Sequence, residues 1–194
     1  MVKTAMAMPL GQQDERAVIE AIRRGDRYAL SELVERQSRW VRGLVYAQLG
    51  DAHLVDDVVQ GVWLRVWERV GTLRDLRTWR SWLAQLARNA AYDALRERRR
   101  ERAVRVEAGA KRARRATDNE LETPDAAAAS GEERSAVLAA LRALPAMYRE
   151  VVVLRHLEGW GYREIGSVLG LSEAAVETRL VRARRQLRAA LAGA

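Results

Sequence analysis

The sequence predicts an all-α protein in two units, an N-terminal helical bundle and a C-terminal helix-turn-helix domain, joined by a flexible linker. Three observations predict it. Only three prolines occur in 194 residues, and the proline-free stretch from Leu10 to Thr123 carries its apolar residues mostly at helical rather than alternating spacing. The segment Thr117 to Glu133 has one large apolar residue, one proline and six carboxylates, too little apolar surface to offset the entropy of ordering it. Near the C-terminus, two short helical patterns meet at Gly170-Leu171-Ser172, a glycine turn followed by a capping serine. A structureless stretch as long as Thr117 to Glu133 is uncommon inside a compact domain, so separately folded units are expected on either side of it.

Residues 1–13 read as an N-terminal tail and 14–103 as the bundle. A short helix around Asp14 to Arg23 ends at Gly25. Asp26 caps a longer helix striped by Leu30, Leu33, Val34, Trp40, Val41, Leu44 and Val45. Gly50-Asp51 breaks it and starts a third helix, with Leu54, Val55, Val58, Val59, Val62 and Val66 inward. After the polar turn Gly71 to Thr78, a fourth helix runs from about Trp79 past Arg96 and turns Trp82, Leu83, Leu86, Ala87, Ala90 and Leu95 inward. Residues 104–134 form a basic and then acidic linker. In 135–194, Ser135 caps Ala136 to Leu144, and Pro145 opens a helix through Leu157. The helix Tyr162 to Leu169 follows, and Ser172 caps a last one from Glu173 to about Leu191, rich in arginine. Two short helices joined by a glycine turn, the second basic, predict a recognition helix for the DNA major groove.

Charge narrows the function. The chain holds 34 Lys+Arg against 26 Asp+Glu, a formal net charge of +8. Only Lys3 and Lys111 are lysine, so nearly all the positive charge is guanidinium, whose planar fork suits phosphate and guanine edges. An anionic partner follows, most simply nucleic acid. With no cysteine and only His53 and His156, a disulfide framework, a thiolate nucleophile and a sulfur-ligated zinc site are excluded and no metal or other cofactor is expected. No apolar run reaches the length that spans a bilayer, and Met1 to Leu10 is too short and broken for a signal peptide, so the cytoplasm is the expected location, without membrane insertion. No Gly-rich phosphate loop, HExxH motif or nucleophile with a partnered base occurs, so no enzymatic activity is expected.

Two long segments carry a resemblance. The stretch Asp26 to Glu101, including DRYALSELVERQSRWVRGLVYAQLGDAHLVDDVVQGVWLRVWERV and RTWRSWLAQLARNAAYDALRERRRE, resembles the second conserved region of extracytoplasmic-function (ECF) sigma factors. Ala140 to Leu191, ALRALPAMYREVVVLRHLEGWGYREIGSVLGLSEAAVETRLVRARRQLRAAL, is similar to their fourth region. Together they cover about two thirds of the chain, in the family's order and with a variable linker between them. The resemblance implies a protein that binds core RNA polymerase and promoter DNA, recognises minus-ten and minus-thirty-five elements and promotes DNA opening. An anti-sigma factor is a further partner that it admits.

Three surfaces follow. Asp56, Asp57 and Gln60 face away from the third helix's apolar stripe. By composition they are a solvated face, whereas the resemblance implies a docking face for the polymerase clamp helices, with Gly61 standing where the family usually has glutamate. Around the turn between the third and fourth helices, Trp63, Trp67, Trp79 and Trp82 interleave with Arg74, Arg77 and Arg80, the pairing of flat rings and cations that a single strand requires. Trp63 and Trp82 read as core. The resemblance assigns the turn and the start of the next helix to the melted minus-ten strand, with Leu73 and Asn89 at base-pocket positions and Gln85 replacing a commonly basic residue. The arginines from Arg96 to Arg105 read either as a solvated helix end or as phosphate contacts. The acidic linker reads as a nucleic-acid mimic or as a spacer.

On the last helix, Thr178, Arg179, Arg182 and Arg185 share a broad face opposite Val176, Leu180, Ala183 and Leu187. The resemblance places that face, with Ser172 at its start, on the minus-thirty-five element. Glu177 replaces a residue that is usually basic in the family, and a glutamate accepts from cytosine N4 or repels phosphate. Two other functions fit parts of the pattern. A free helix-turn-helix regulator would bind duplex DNA unaided, and a polymerase-bound adaptor would need neither the aromatic–arginine turn nor a complete recognition helix.

Overall fold

The computed structural model describes residues 12–113 and 130–192. Every regular element among them is helical, as the spacing predicts. The N-terminal unit comprises α1 (Gln12–Arg23), α2 (Arg27–Leu49), α3 (Val55–Arg69) and α4 (Trp79–Ala113). The C-terminal unit comprises α5 (Ser130–Ala143), α6 (Ala146–His156), α7 (Tyr162–Leu169) and α8 (Glu173–Ala192). Most of the acidic segment, and the tail up to Gly11, lie outside the described residues.

The predicted punctuation is present. The Asp26 carboxylate accepts from the backbone N–H of Tyr28 at 2.8 Å and of Ala29 at 3.2 Å, satisfying donors that the first turn of α2 leaves open. Gly50 ends α2 in the left-handed conformation, φ 67°, and Asp51 caps the short turn that leads into α3. One expected cap moves. Ser135 falls inside α5, which begins at Ser130. Pro145 stands at the N-cap position of α6 rather than within its first turn, and its carbonyl accepts from the N–H groups of Tyr148 and Arg149.

The two units do not stand apart. One continuous apolar core runs from Leu33, Val41, Leu44 and Val45 of α2 into Val151, Val152 and Leu154 of α6 and on to Ile165, Val176 and Leu180. Four consecutive α6 residues, Val151 to Leu154, are buried, which no single-faced helix permits; α6 is covered by α2 on one side and α8 on the other. The linker composition reports only on the linker, whereas a turn of α6 that is apolar on every side demands cover on both sides.

Polar groups fill the same seam. Arg149, 6% exposed, donates to the carbonyls of Leu141, Arg142 and Leu144 within its own unit and, from Nη1 at 2.9 Å, to Ala47 of α2. Burial pulls this guanidinium below the usual arginine pKa, and the carbonyls offset the cost of keeping its charge inside. Glu150 takes Arg88 Nε at 2.6 Å and Nη2 at 2.8 Å, with Gln48 Nε2 at 2.5 Å. Arg39 reaches the Leu157 carbonyl and Glu158, whose carboxyl burial holds above the usual carboxylate range against the opposing pull of Arg39.

Candidate nucleic-acid interface and docking face

The α3 face divides. Asp56, Asp57 and Gln60 are all exposed, as expected, but Asp56 is ion-paired with Arg42 of α2. Asp57 and Gln60 instead border an apolar groove of about 620 Å³ between α2 and α3, lined by Leu30, Trp63, Leu64 and Trp67. Leu64 is 59% exposed at its rim, and a methyl group added at Gly61 would meet nothing within 4 Å. A shallow apolar trough edged by a carboxylate and an amide suits a partner helix that brings aliphatic side chains and a cation.

The turn between α3 and α4 is built by carboxylates and one arginine. Arg23 donates from Nη2 to the carbonyls of Leu73 (3.0 Å) and Gly71 (3.3 Å), tying the turn to α1. Asp75 accepts from Arg77 N at 2.9 Å and from its guanidinium. Those hydrogen bonds hold the Asp75 carboxyl below, and the Arg77 guanidinium above, their ordinary pKa values. The expected strand-reading set is sorted by this geometry. Arg74, Arg77, Gln85 and Asn89 are exposed. Leu73 and Trp79, 5% and 4% exposed, belong to the core, because the turn folds back onto α1. Trp79 gives its indole N–H to Glu15 Oε2 at 3.2 Å, and Arg80 is half-covered, ion-paired to the same carboxylate, with its Nε buried and unpaired. Trp63 is buried and Trp82 partly so, as read from the sequence.

Gln85 Nε2 donates to Asn89 Oδ1 at 2.8 Å, one helical turn away. Asn89 opens onto a polar cleft of about 400 Å³ shared with Arg65, Arg69, Tyr92 and Arg96. Sequence reading missed Arg65, Arg69 and Tyr92. Their signal was there: arginines at i and i+4 on α3, and an aromatic three residues beyond Asn89 on α4. It also missed Glu15 and Trp160, which touch Arg80 only through the tertiary fold.

The helix-turn-helix is formed by α7 and α8. Gly170 takes φ 68° at the end of α7, and Ser172 Oγ accepts from Ala175 N at 3.2 Å at the start of α8. Gly166 makes the turn possible. A β-carbon there would stand 2.5 Å from the Leu171 carbonyl oxygen, so the chain can pass over α7 only at a glycine. On α8, Val176, Leu180 and Ala183 are buried, while Glu177, Thr178, Arg182 and Arg185 are exposed and Arg179 is half-buried. Thr178 Oγ1 is spent on its own helix, donating to the Ala174 carbonyl at 2.8 Å. No cluster of metal-ligating side chains occurs among the described residues, and no described helix is long and apolar enough to cross a membrane.

Known proteins agree with this architecture. The Sigma-70 region 2 family matches residues 33–101 and the Sigma-70, region 4 family residues 134–187. The sequence is 33% identical over 173 residues to the RNA polymerase sigma factor CarQ of Myxococcus xanthus, covering 88% of this chain and 93% of CarQ. It is 34% identical over 164 residues to the probable RNA polymerase sigma factor RfaY of Xanthomonas campestris pv. campestris, 84% of this chain but 40% of that longer protein. The fold is similar to that of CnrH, solved in complex with the cytosolic domain of CnrY, with a TM-score of 0.64 and 26% identity over 92% of this chain and 97% of that one. Two sigma regions in the family's order, on a scaffold whose described elements are all helical, place the chain in the family of ECF RNA polymerase sigma factors.

Proposed function

We propose that this sigma factor binds core RNA polymerase through the α2–α3 groove beside Asp57 and Gln60, and reads promoter DNA at two places. Arg74, Arg77 and Arg80, with Gln85 and Asn89 beyond them, hold the melted minus-ten strand. The exposed side of α8, with Glu177, Arg182 and Arg185, enters the major groove of the minus-thirty-five element. The observation that carries this reading is the pairing, in one chain, of a capped recognition helix with an arginine-rich turn flanked by tryptophans. It acts in the cytoplasm as a specificity subunit with no chemistry of its own, and its effect on opening is to keep the separated strand from re-annealing.

A further protein partner, read as an anti-sigma factor, is supported by the similar CnrH fold having been solved in complex with the cytosolic domain of CnrY. The decisive experiment is run-off transcription from genomic fragments with purified core enzyme, followed by mapping of the start sites. Defined starts sharing two upstream motifs are expected only when both core and this protein are present. Duplex binding without polymerase, and no added transcript with it, would make the protein a free helix-turn-helix regulator instead.

A further inference from the structure

Glu177, Arg182 and Arg185 do not fill the exposed side of α8. Among them stands Val181, 57% exposed and outside the apolar core. Its neighbours three and four residues away on the helix are Glu177, Thr178, Arg184 and Arg185, all of them exposed. A branched side chain within a helix gives up χ1 freedom, which makes valine a poorer helix former than alanine or arginine. Packing inside the chain does little to offset that at so exposed a position.

Thr178 adds to the apolar surface. Its hydroxyl proton is already given to the Ala174 carbonyl at 2.8 Å, which leaves its methyl group as the neighbour of Val181. Three residues apart, the two side chains leave the helix about 60° apart around its axis and about 4.5 Å apart along it, close enough to act together. Both belong to the first half of α8, the helix that Ser172 caps. That is the half which approaches base edges when a recognition helix enters the major groove.

Chemistry narrows what Val181 can meet there. Phosphates are served by the exposed arginines around it, and an anionic oxygen gains nothing from a valine. Base edges in the major groove offer hydrogen-bonding atoms with one exception, the C5-methyl group of thymine. Two methyl groups held in one rotamer can pack on it without the ordering entropy that a long side chain loses. We propose that Val181 is a specificity-determining residue of this sigma factor, packing on the C5-methyl of one thymine in the minus-thirty-five element with the Thr178 methyl alongside. This rests on the reading of α8 as the minus-thirty-five helix, and adds to it the base and the atom that are read.

Uracil in place of thymine deletes that methyl group and keeps every hydrogen-bonding atom of the base. Holoenzyme made from core polymerase and the full-length chain is titrated against a promoter duplex whose upstream element comes from selection on a randomised library, with each thymine of the element replaced singly by uracil. At one thymine the replacement weakens wild-type binding about fourfold, the value of one buried methyl group, and at the others it does less. Val181→Ala loses at least as much on the thymine duplex and no longer distinguishes thymine from uracil. Alanine is the better helix former at an exposed position, so unfolding does not explain that loss. Arg182→Ala binds more weakly overall and still distinguishes the two bases. An element that requires no thymine, a wild type indifferent to every uracil, or a Val181→Ala protein that still responds to the methyl group overturns the proposal. In those cases the reading of α8 stands as long as an unrelated upstream sequence weakens binding. If an unrelated sequence binds equally well, the minus-thirty-five reading falls and the proposal falls with it.

Discussion

The carboxylate of Glu15, on the first helix, is ion-paired with the guanidinium of Arg80 at the start of the fourth, where Trp79 also donates to it. Glu15 is 4% exposed, so it occupies Arg80 with an internal anion in the place proposed for a DNA phosphate. Glu15→Gln keeps an acceptor for the indole and removes the charge. A charge-assisted hydrogen bond is worth roughly 1.5–3 kcal/mol, so the variant should bind a single-stranded minus-ten oligonucleotide with about tenfold or higher affinity in the presence of core enzyme. Fluorescence anisotropy reads this, and an unchanged affinity would remove Glu15 as a competitor.

Two glycines in helices should respond oppositely to substitution. Gly166→Ala forces a methyl group against the Leu171 carbonyl and should cost about 1–3 kcal/mol, seen as a lower denaturation midpoint. Gly61→Glu meets open space, gains about 0.5–1 kcal/mol in helix propensity and adds a carboxylate beside Asp57 and Gln60. It should raise both the melting temperature and the affinity for core polymerase, and titration of labelled core separates the two effects. Asp57→Arg in the same assay should lose on the order of 1–2 kcal/mol with helicity intact.

On α8, Arg182 is exposed and Arg179 half-buried, which suits Arg182 to base edges and Arg179 to the adjacent phosphate. Arg182→Ala should cost roughly 1–3 kcal/mol and relax preference at one position of the upstream element. Arg179→Ala should weaken all sequences alike and flatten the salt slope by about one unit. Glu177→Lys should shift the preferred motif. Selection from a randomised minus-thirty-five library compares the three with wild type, and identical motifs from all four would refute the assignment.

Acid should act on the Asp51–Arg98 pair. Arg98 Nη1 donates to Asp51 Oδ2 at 2.6 Å and holds its carboxyl below the usual range. A carboxyl lowered in the folded state stabilises it fully above its ordinary pKa, and that contribution disappears as pH falls through the lowered value. Partial exposure limits the amount to about 0.5 kcal/mol. Asp51→Asn keeps an oxygen for the cap on His53 N, so it should flatten only the acid limb of the stability profile followed by circular dichroism. Glu158 runs the other way: its raised carboxyl favours the fold at acid pH, and that contribution is lost as pH rises through the raised value.

The helices and their ends were legible in the sequence because their causes are local. Asp26 reaches N–H groups two and three residues ahead, Gly50 and Gly170 take a backbone conformation that other residues resist, and the α8 stripe of Val176, Leu180 and Ala183 follows from the helical period alone. The exposed polar faces were legible for the same reason, so Asp57, Gln60, Arg77 and Arg182 stand at the surface as expected. What only the tertiary structure decided depends on groups far apart in the chain. Asp56 is drawn to Arg42, Leu73 and Trp79 turn into the core against α1, and Arg80 is claimed by Glu15, 65 residues earlier. The joining of the two units is the largest such decision. It follows from a helix, Val151 to Leu154, apolar on every side, and from a buried Glu150 whose partners lie 62 and 102 residues away, relations that no periodicity within one helix encodes.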